Sequence, residues 1–198
     1  LPSLPQLASF FETSASMTQL TLTTAMIGLA LGQLLLGPLS DKFGRKKPLI
    51  ISLVIYIIST VLIVFSSNIE MMIVLRVIQG LSSAGSVVIS RAVATDLYRG
   101  REMTRFFGLL MTINGLAPII SPILGSLLLE YISWKGVFVF LALIGVIVLF
   151  FCFRLKESLS AENRLEGSIF ATFSTFGVII KNRLFMSYVG IESFLLGA

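Results

Sequence analysis

The chain has 198 residues, 56% of them hydrophobic and 13% charged, with a formal net charge of +5, one cysteine and no histidine. A mean hydropathy of +0.97 excludes a soluble domain, which could not cover that much apolar surface at this length. The lone Cys152 excludes an intramolecular disulfide, and the lack of histidine removes the commonest metal ligand. The basic residues sit at the ends of apolar runs rather than on a separate module, which argues for a membrane and against nucleic acid.

In chain order, the uncharged runs predict helices. The chain opens on Leu1-Pro2-Ser3-Leu4-Pro5 with no initiator methionine and no basic leader, as expected of a fragment cut near a helix end. Residues 1–10 read as the tail of a first helix. Further helices are predicted over Thr18–Ser40, Leu49–Ser67, Glu70–Thr95, Phe106–Leu129 and Gly136–Phe153, and another starts near Leu184. About 20 apolar residues cross the hydrocarbon core of a bilayer as a helix. Gly167–Ile180 is apolar but only fourteen residues long, so an interfacial helix is expected there. The predicted fold is an all-α membrane protein. A six-helix bundle occupies 1–155 with its first helix truncated, a cytoplasmic linker 156–183, and the start of a seventh span 184–198.

The charges orient it. Twelve Lys and Arg fall on the side of the 41–47 turn, from Lys42 to Arg183, whereas only Lys135 falls on the other, beside Glu12, Glu70 and Glu130. Positive charge marks the cytoplasmic side, so the amino terminus is expected inside.

Three motifs carry chemistry. In Gly37–Leu49, Gly37-Pro38 is expected to end a helix, with Asp41 in the next turn beside Lys42, Arg45, Lys46 and Lys47. Composition alone also allows a topology anchor of solvated charges. Arg76 lies about two turns inside the fourth helix, in Leu75-Arg76-Val77-Ile78-Gln79-Gly80. A cation meeting lipid there costs about 2.5–3.5 kcal/mol, so it should face the bundle interior or snorkel to the outer interface. The adjoining run Ser82-Ser83-Ala84-Gly85-Ser86 reads as close helix packing. The fifth helix carries Gly108, Gly115, Pro118, Pro122 and Gly125, a pattern expected to bend it and admit a close neighbour. Of the polar side chains within spans, Gln33, Gln79 and Asn114 are candidates to line a substrate cavity, alongside Gln19 and Tyr56. Each can equally satisfy itself across a helix contact.

Gly-x-Leu-x-Asp-x-x-Gly-Arg-Lys at 37–46 resembles the signature loop between helices 2 and 3 of the major facilitator superfamily. The resemblance implies that Asp41 caps a helix of a second, carboxyl-terminal bundle. It also implies that Arg45, after the loop's Gly44, pairs with Asp96 at the inner end of helix 4, as a latch favouring the outward-facing state. Arg-x-x-Gln-Gly resembles the family's helix 4 motif, which implies a role for Arg76 in proton coupling. The stretch 115–126 resembles the antiporter motif of drug exporters, departing from it at Ser121 and Ser126. Within the superfamily the start motif, Gly32-Gln33-Leu34 and Ser133-Trp134 are similar to the Bcr/CflA drug-resistance group, which includes bicyclomycin exporters. In that group an acid just upstream of the Leu-Pro carries the proton; here it would precede Leu1.

The reading is a drug/H+ antiporter of the bacterial inner membrane, taking small hydrophobic or cationic drugs. An importer or metabolite exporter of the same fold is the first alternative. A non-transporting membrane protein or enzyme is the second, disfavoured because the sequence offers no His/Cys metal cluster, no nucleophile with a base partner and no phosphate loop. No cofactor is implied.

Overall fold

The computed structural model describes residues 4–165 and 183–197. Contacts divide the chain into two units, Leu1–Arg164 and Leu165–Ala198. The first unit is built from α1 (Leu4–Phe10), α2 (Ala15–Phe43), α3 (Lys46–Val64), α4 (Ile69–Leu97), α5 (Gly100–Tyr131) and α6 (Trp134–Arg154), and closes on a short 3-10 turn at Ala161–Asn163. In the second, α7 spans Arg183–Gly197 and exposes Phe185, Tyr188 and Ile191. No strand occurs among the described residues. The interfacial helix expected over 167–180 lies outside them.

Helix starts follow local side-chain chemistry. The first N–H groups of a helix lack intrahelical acceptors, and a polar N-cap supplies one. Ser14 Oγ accepts from the Met17 N–H at 3.3 Å, and Asn68 Oδ1 accepts from the Met71 N–H at 2.8 Å. The end of α2 differs from expectation. Gly37-Pro38 does not stop it: Pro38 is buried inside the helix, which runs on to Phe43. Proline removes one donor, but its fixed φ is itself helical, and the Ser40 hydroxyl donates to the Gly37 carbonyl at 2.8 Å. Termination falls instead on Gly44, whose φ of 86° favours glycine. Asp41 therefore belongs to the last turn of α2.

The packing centres on α4, which contacts α2 and α3, while α3 also packs on α6. Missing side chains bring α2 and α4 together. A Cβ on Gly80 would lie 2.0 Å from the Ala25 carbonyl oxygen, and one on Gly28 would lie 2.3 Å from that of Val77. The small-residue run on α4 meets α3, where a Cβ on Gly85 would lie 2.1 Å from Ser52 Oγ. Apolar clusters form at each end: Leu7, Ile63, Met72, Trp134 and Phe138 at one, Leu49, Leu53, Ile89 and Cys152 at the other. Overpacking a well-filled contact costs about 1–3 kcal/mol. Gly80→Val is accordingly expected to lower the thermal unfolding midpoint in detergent. Gly108→Val, where a Cβ meets nothing within 4 Å, should leave it close to wild type.

Within the first unit, Gly108 and Gly115 of α5 have no close neighbour. No residue of α5 is buried, and a Cβ on Gly108 or Gly115 would have no neighbour within 4 Å. Among the described residues the helix borders α4 and α6 and remains continuous through Pro118 and Pro122, and its Gly108 and Gly115 face open space. The Ser121 hydroxyl donates to the Ala117 carbonyl, one turn back in its own helix. Long rows of exposed apolar side chains, such as Leu109, Met111, Ile113, Ile119 and Ile123, cover α5. Five helices, α2 to α6, are long and apolar enough to cross a membrane.

Candidate functional site

Two polar clusters lie in the helical unit, one at the α2–α3 turn and one within α3, α4 and α6.

At the turn, Arg45 is the centre. The tight exit through Gly44 leaves its backbone at the head of α3 and sends its side chain back between α2 and α4. Its Nε donates to Asp96 Oδ2 at 3.0 Å, and its Nη2 reaches Asp96 Oδ1 at 3.5 Å. Its Nη1 donates to Ser40 Oγ at 2.8 Å and also to Asp41 Oδ1, one helical turn earlier. The guanidinium thus joins the last turn of α2 to the last turn of α4. Burial alone would lower the Arg45 pKa, but its hydrogen bonds to Asp96 and Asp41 outweigh it and hold the guanidinium above its ordinary value. The side chain of Asp96 is 16% exposed and that of Asp41 is 42% exposed, so the two ion pairs are not equivalent.

The segment after α6 closes over this turn. Glu157 Oε1 accepts the Arg45 N–H at 2.8 Å, Oε2 accepts that of Lys46 at 3.2 Å, and Oε1 also accepts that of Leu159 at 3.2 Å. Ser158 Oγ donates to Asp96 Oδ2 at 3.0 Å, sharing that oxygen with Arg45. Burial would raise the Glu157 carboxyl, but the N–H donors of Arg45, Leu159 and Lys46 and the charge of Arg164 hold it below its ordinary value. A carboxyl depressed on folding contributes stability above its unfolded pKa, and loses it as pH falls through the lowered value. These bonds are therefore expected to be unaffected between about pH 6 and 8, a range far above any carboxyl in this direction of shift.

The second cluster is a chain of donors. Arg76 Nη1 donates to Gln79 Oε1 at 3.1 Å, Gln79 Nε2 to Thr60 Oγ1 at 2.8 Å, and Thr60 Oγ1 to the Tyr56 carbonyl at 2.6 Å. The guanidinium carbon lies 4.7 Å from the centroid of the Phe138 ring. Arg76 Nε is buried and has no hydrogen-bond acceptor, and among the described residues no carboxylate pairs with this arginine. A cavity of about 280 Å3 opens beside it, bordered by Met26, Tyr56, Gln79, Ser83 and Leu141. Arg76 therefore faces a cavity within the bundle, and the snorkelling alternative does not describe its contacts. A cation held there by an amide and an aromatic face is suited to an anionic group entering the cavity.

Of the remaining candidates, Gln33 and Asn114 are exposed on α2 and α5, and neither borders that cavity. Gly115, Pro118 and Pro122 share the exposed α5. No cluster of metal-ligating side chains occurs among the described residues. Thr60, Phe138, Ser40, Glu157 and Ser158 were not singled out by sequence. Ser and Thr in spans commonly bond their own helix, and Phe is abundant, so nothing marked Thr60 or Phe138. An acid following the last span was the only sign of Glu157.

Comparison with known proteins adds the family. The profile described as Major Facilitator Superfamily matches residues 1–198. The chain is 40% identical over 200 residues to an uncharacterized MFS-type transporter, YdgK, of Bacillus subtilis (strain 168), covering 100% of this chain and 50% of that protein. It is 34% identical over 144 residues to a chloramphenicol resistance protein of Pseudomonas aeruginosa, covering 72% of this chain and 34% of that one. Similarity to a bicyclomycin resistance protein homolog of Haemophilus influenzae is 27% over 198 residues, covering 100% and 50%. The chain spans about half the length of the first of these relatives.

Proposed function

The chain belongs to the major facilitator superfamily, and from that premise we propose that the full-length protein is a proton-driven multidrug exporter working by alternating access. The superfamily is one of transporters, and the chain is part of a multi-pass membrane protein. In the proposed mechanism two bundles rock about a midplane cavity, and protonation of an acid there competes with bound drug. The carboxyl-terminal bundle supplies the second wall. The membrane is the bacterial inner membrane, with the amino terminus cytoplasmic.

The observation that carries this reading is Arg76, a buried cation with an unpartnered Nε beside a cavity. It calls for an anionic partner. Relatives named for chloramphenicol and bicyclomycin resistance support drugs as the cargo. Gln79 and Thr60 orient the guanidinium, while Gln33 and Asn114 are proposed to meet substrate from α2 and α5. Arg45, Asp41, Asp96 and Gly44 form the latch, favouring the outward-facing state.

Expression of the full-length protein in a drug-sensitive host is expected to raise its resistance to chloramphenicol or bicyclomycin several-fold. Unchanged susceptibility to both, with sugars or organic acids moved instead, would favour the importer or metabolite-exporter reading. The departures at Ser121 and Ser126 are the observation that favours that second reading.

A further inference from the structure

Helix α3 begins without the local cap that α2 and α4 have. Its N-cap position is Arg45, which makes no side-chain capping bond because its guanidinium is committed to Asp41 and Asp96. The amide groups at the head of α3 nonetheless have an acceptor. It is the carboxylate of Glu157, which lies 112 residues further along the chain and takes the N–H groups of Arg45 and Lys46 on its two oxygens. An anion at a helix N-terminus is favoured both by those bonds and by the helix dipole.

The turn is shaped for this carboxylate. Gly44 has a φ of 86°, and a Cβ there would sit 2.5 Å from Glu157 Oε2. Ser158 ties the same segment to Asp96 at 3.0 Å, and Lys46 Nζ donates to the Phe153 carbonyl in the last turn of α6 at 2.8 Å. Leu159 is buried beneath them.

We propose that Glu157 is a remote cap of α3 and a positioning residue for Arg45. It fixes the backbone from which the guanidinium reaches Asp96, and it binds residues 155–164 to the α2–α3 turn. The segment up to Arg164 then belongs mechanically to the first unit. The consequence for transport rests on the latch reading given above; the cap itself does not.

Hydrogen exchange of the full-length protein in lipid nanodiscs, read residue by residue, tests it. In the wild type the Arg45 and Lys46 amides should exchange at least about tenfold more slowly than unstructured amides, since helix-start amides without a cap are open to water. Glu157→Ala should speed both by about tenfold or more and leave the Leu53 amide, inside α3, unchanged. Glu157→Gln, which keeps an acceptor oxygen but loses the charge, should fall between them, and carries the test if the alanine variant is not recovered folded. Unchanged exchange at Arg45 and Lys46 in these variants overturns the cap. So does equal acceleration at Leu53, which would mean general loosening of the helix. For the positioning role, Glu157→Gln should reduce transport in the wild-type background but add little to Asp96→Asn, because both act through Arg45. Full additivity overturns that role. Loss of the transport reading with the exchange pattern intact would leave the cap standing.

Discussion

Arg76→Ala in the full-length protein is expected to abolish export while leaving the protein folded and inserted. The arginine is the cation that borders the α2–α4 cavity, so its loss removes the charge offered to an anionic group there. It also leaves Gln79 Oε1 without its donor. A hydrogen bond to a charged group contributes about 1.5–3 kcal/mol, and 1.4 kcal/mol is a factor of ten, so transport should fall at least about tenfold. Arg76→Lys separates the roles. Lysine keeps the charge but not the planar fork that spans Gln79 and stacks on Phe138, so it should recover only a minor part of the rate. An arginine that merely anchored the helix at the interface would be replaced by lysine at full activity. Drug efflux from loaded cells, with membrane levels checked by immunoblot, decides between these outcomes.

Asp96→Asn is expected to shift the balance between end states more than Asp41→Asn. Removing one partner of a shielded ion pair costs more than removing one of an exposed pair, which contributes about 0–1 kcal/mol. Asp96 is the less exposed of the two carboxylates and accepts from both Arg45 and Ser158. Spin-label distances across the two faces of the full-length protein should show depopulation of the outward-facing state in both variants, with the larger effect at Asp96. Both should still insert. Transport and populations unchanged in Asp96→Asn would remove the latch from the account.

The helices were legible because charge is expensive in hydrocarbon, so uncharged runs mark α2 to α6, although α5 starts at Gly100, ahead of the expected Phe106 and through the charged stretch Arg101–Arg105. Their ends were less so. Gly37-Pro38 carries a strong stop signal in water, yet α2 continues because neighbours hold the turn and Gly44 supplies the positive φ where the chain must reverse. The Arg45–Asp96 pair is implied by the resemblance of residues 37–46 to the family's loop rather than by the charges alone. Glu157 could not be anticipated, since its partners are backbone N–H groups, which every residue but proline carries. The Arg76–Gln79 contact follows from helical spacing, but its continuation to Thr60 depends on how α3 packs on α4.

Drug and proton exchanging across the membrane through the full-length protein would leave a direct pH signature. Everted membrane vesicles holding that protein, energised and monitored with a lumenal pH dye, test it directly. Addition of chloramphenicol, bicyclomycin or a hydrophobic cation should release protons from the lumen, and the Arg76→Ala vesicles should give no response. Drug-independent lumenal pH, or equal release in vesicles lacking the protein, would contradict the account.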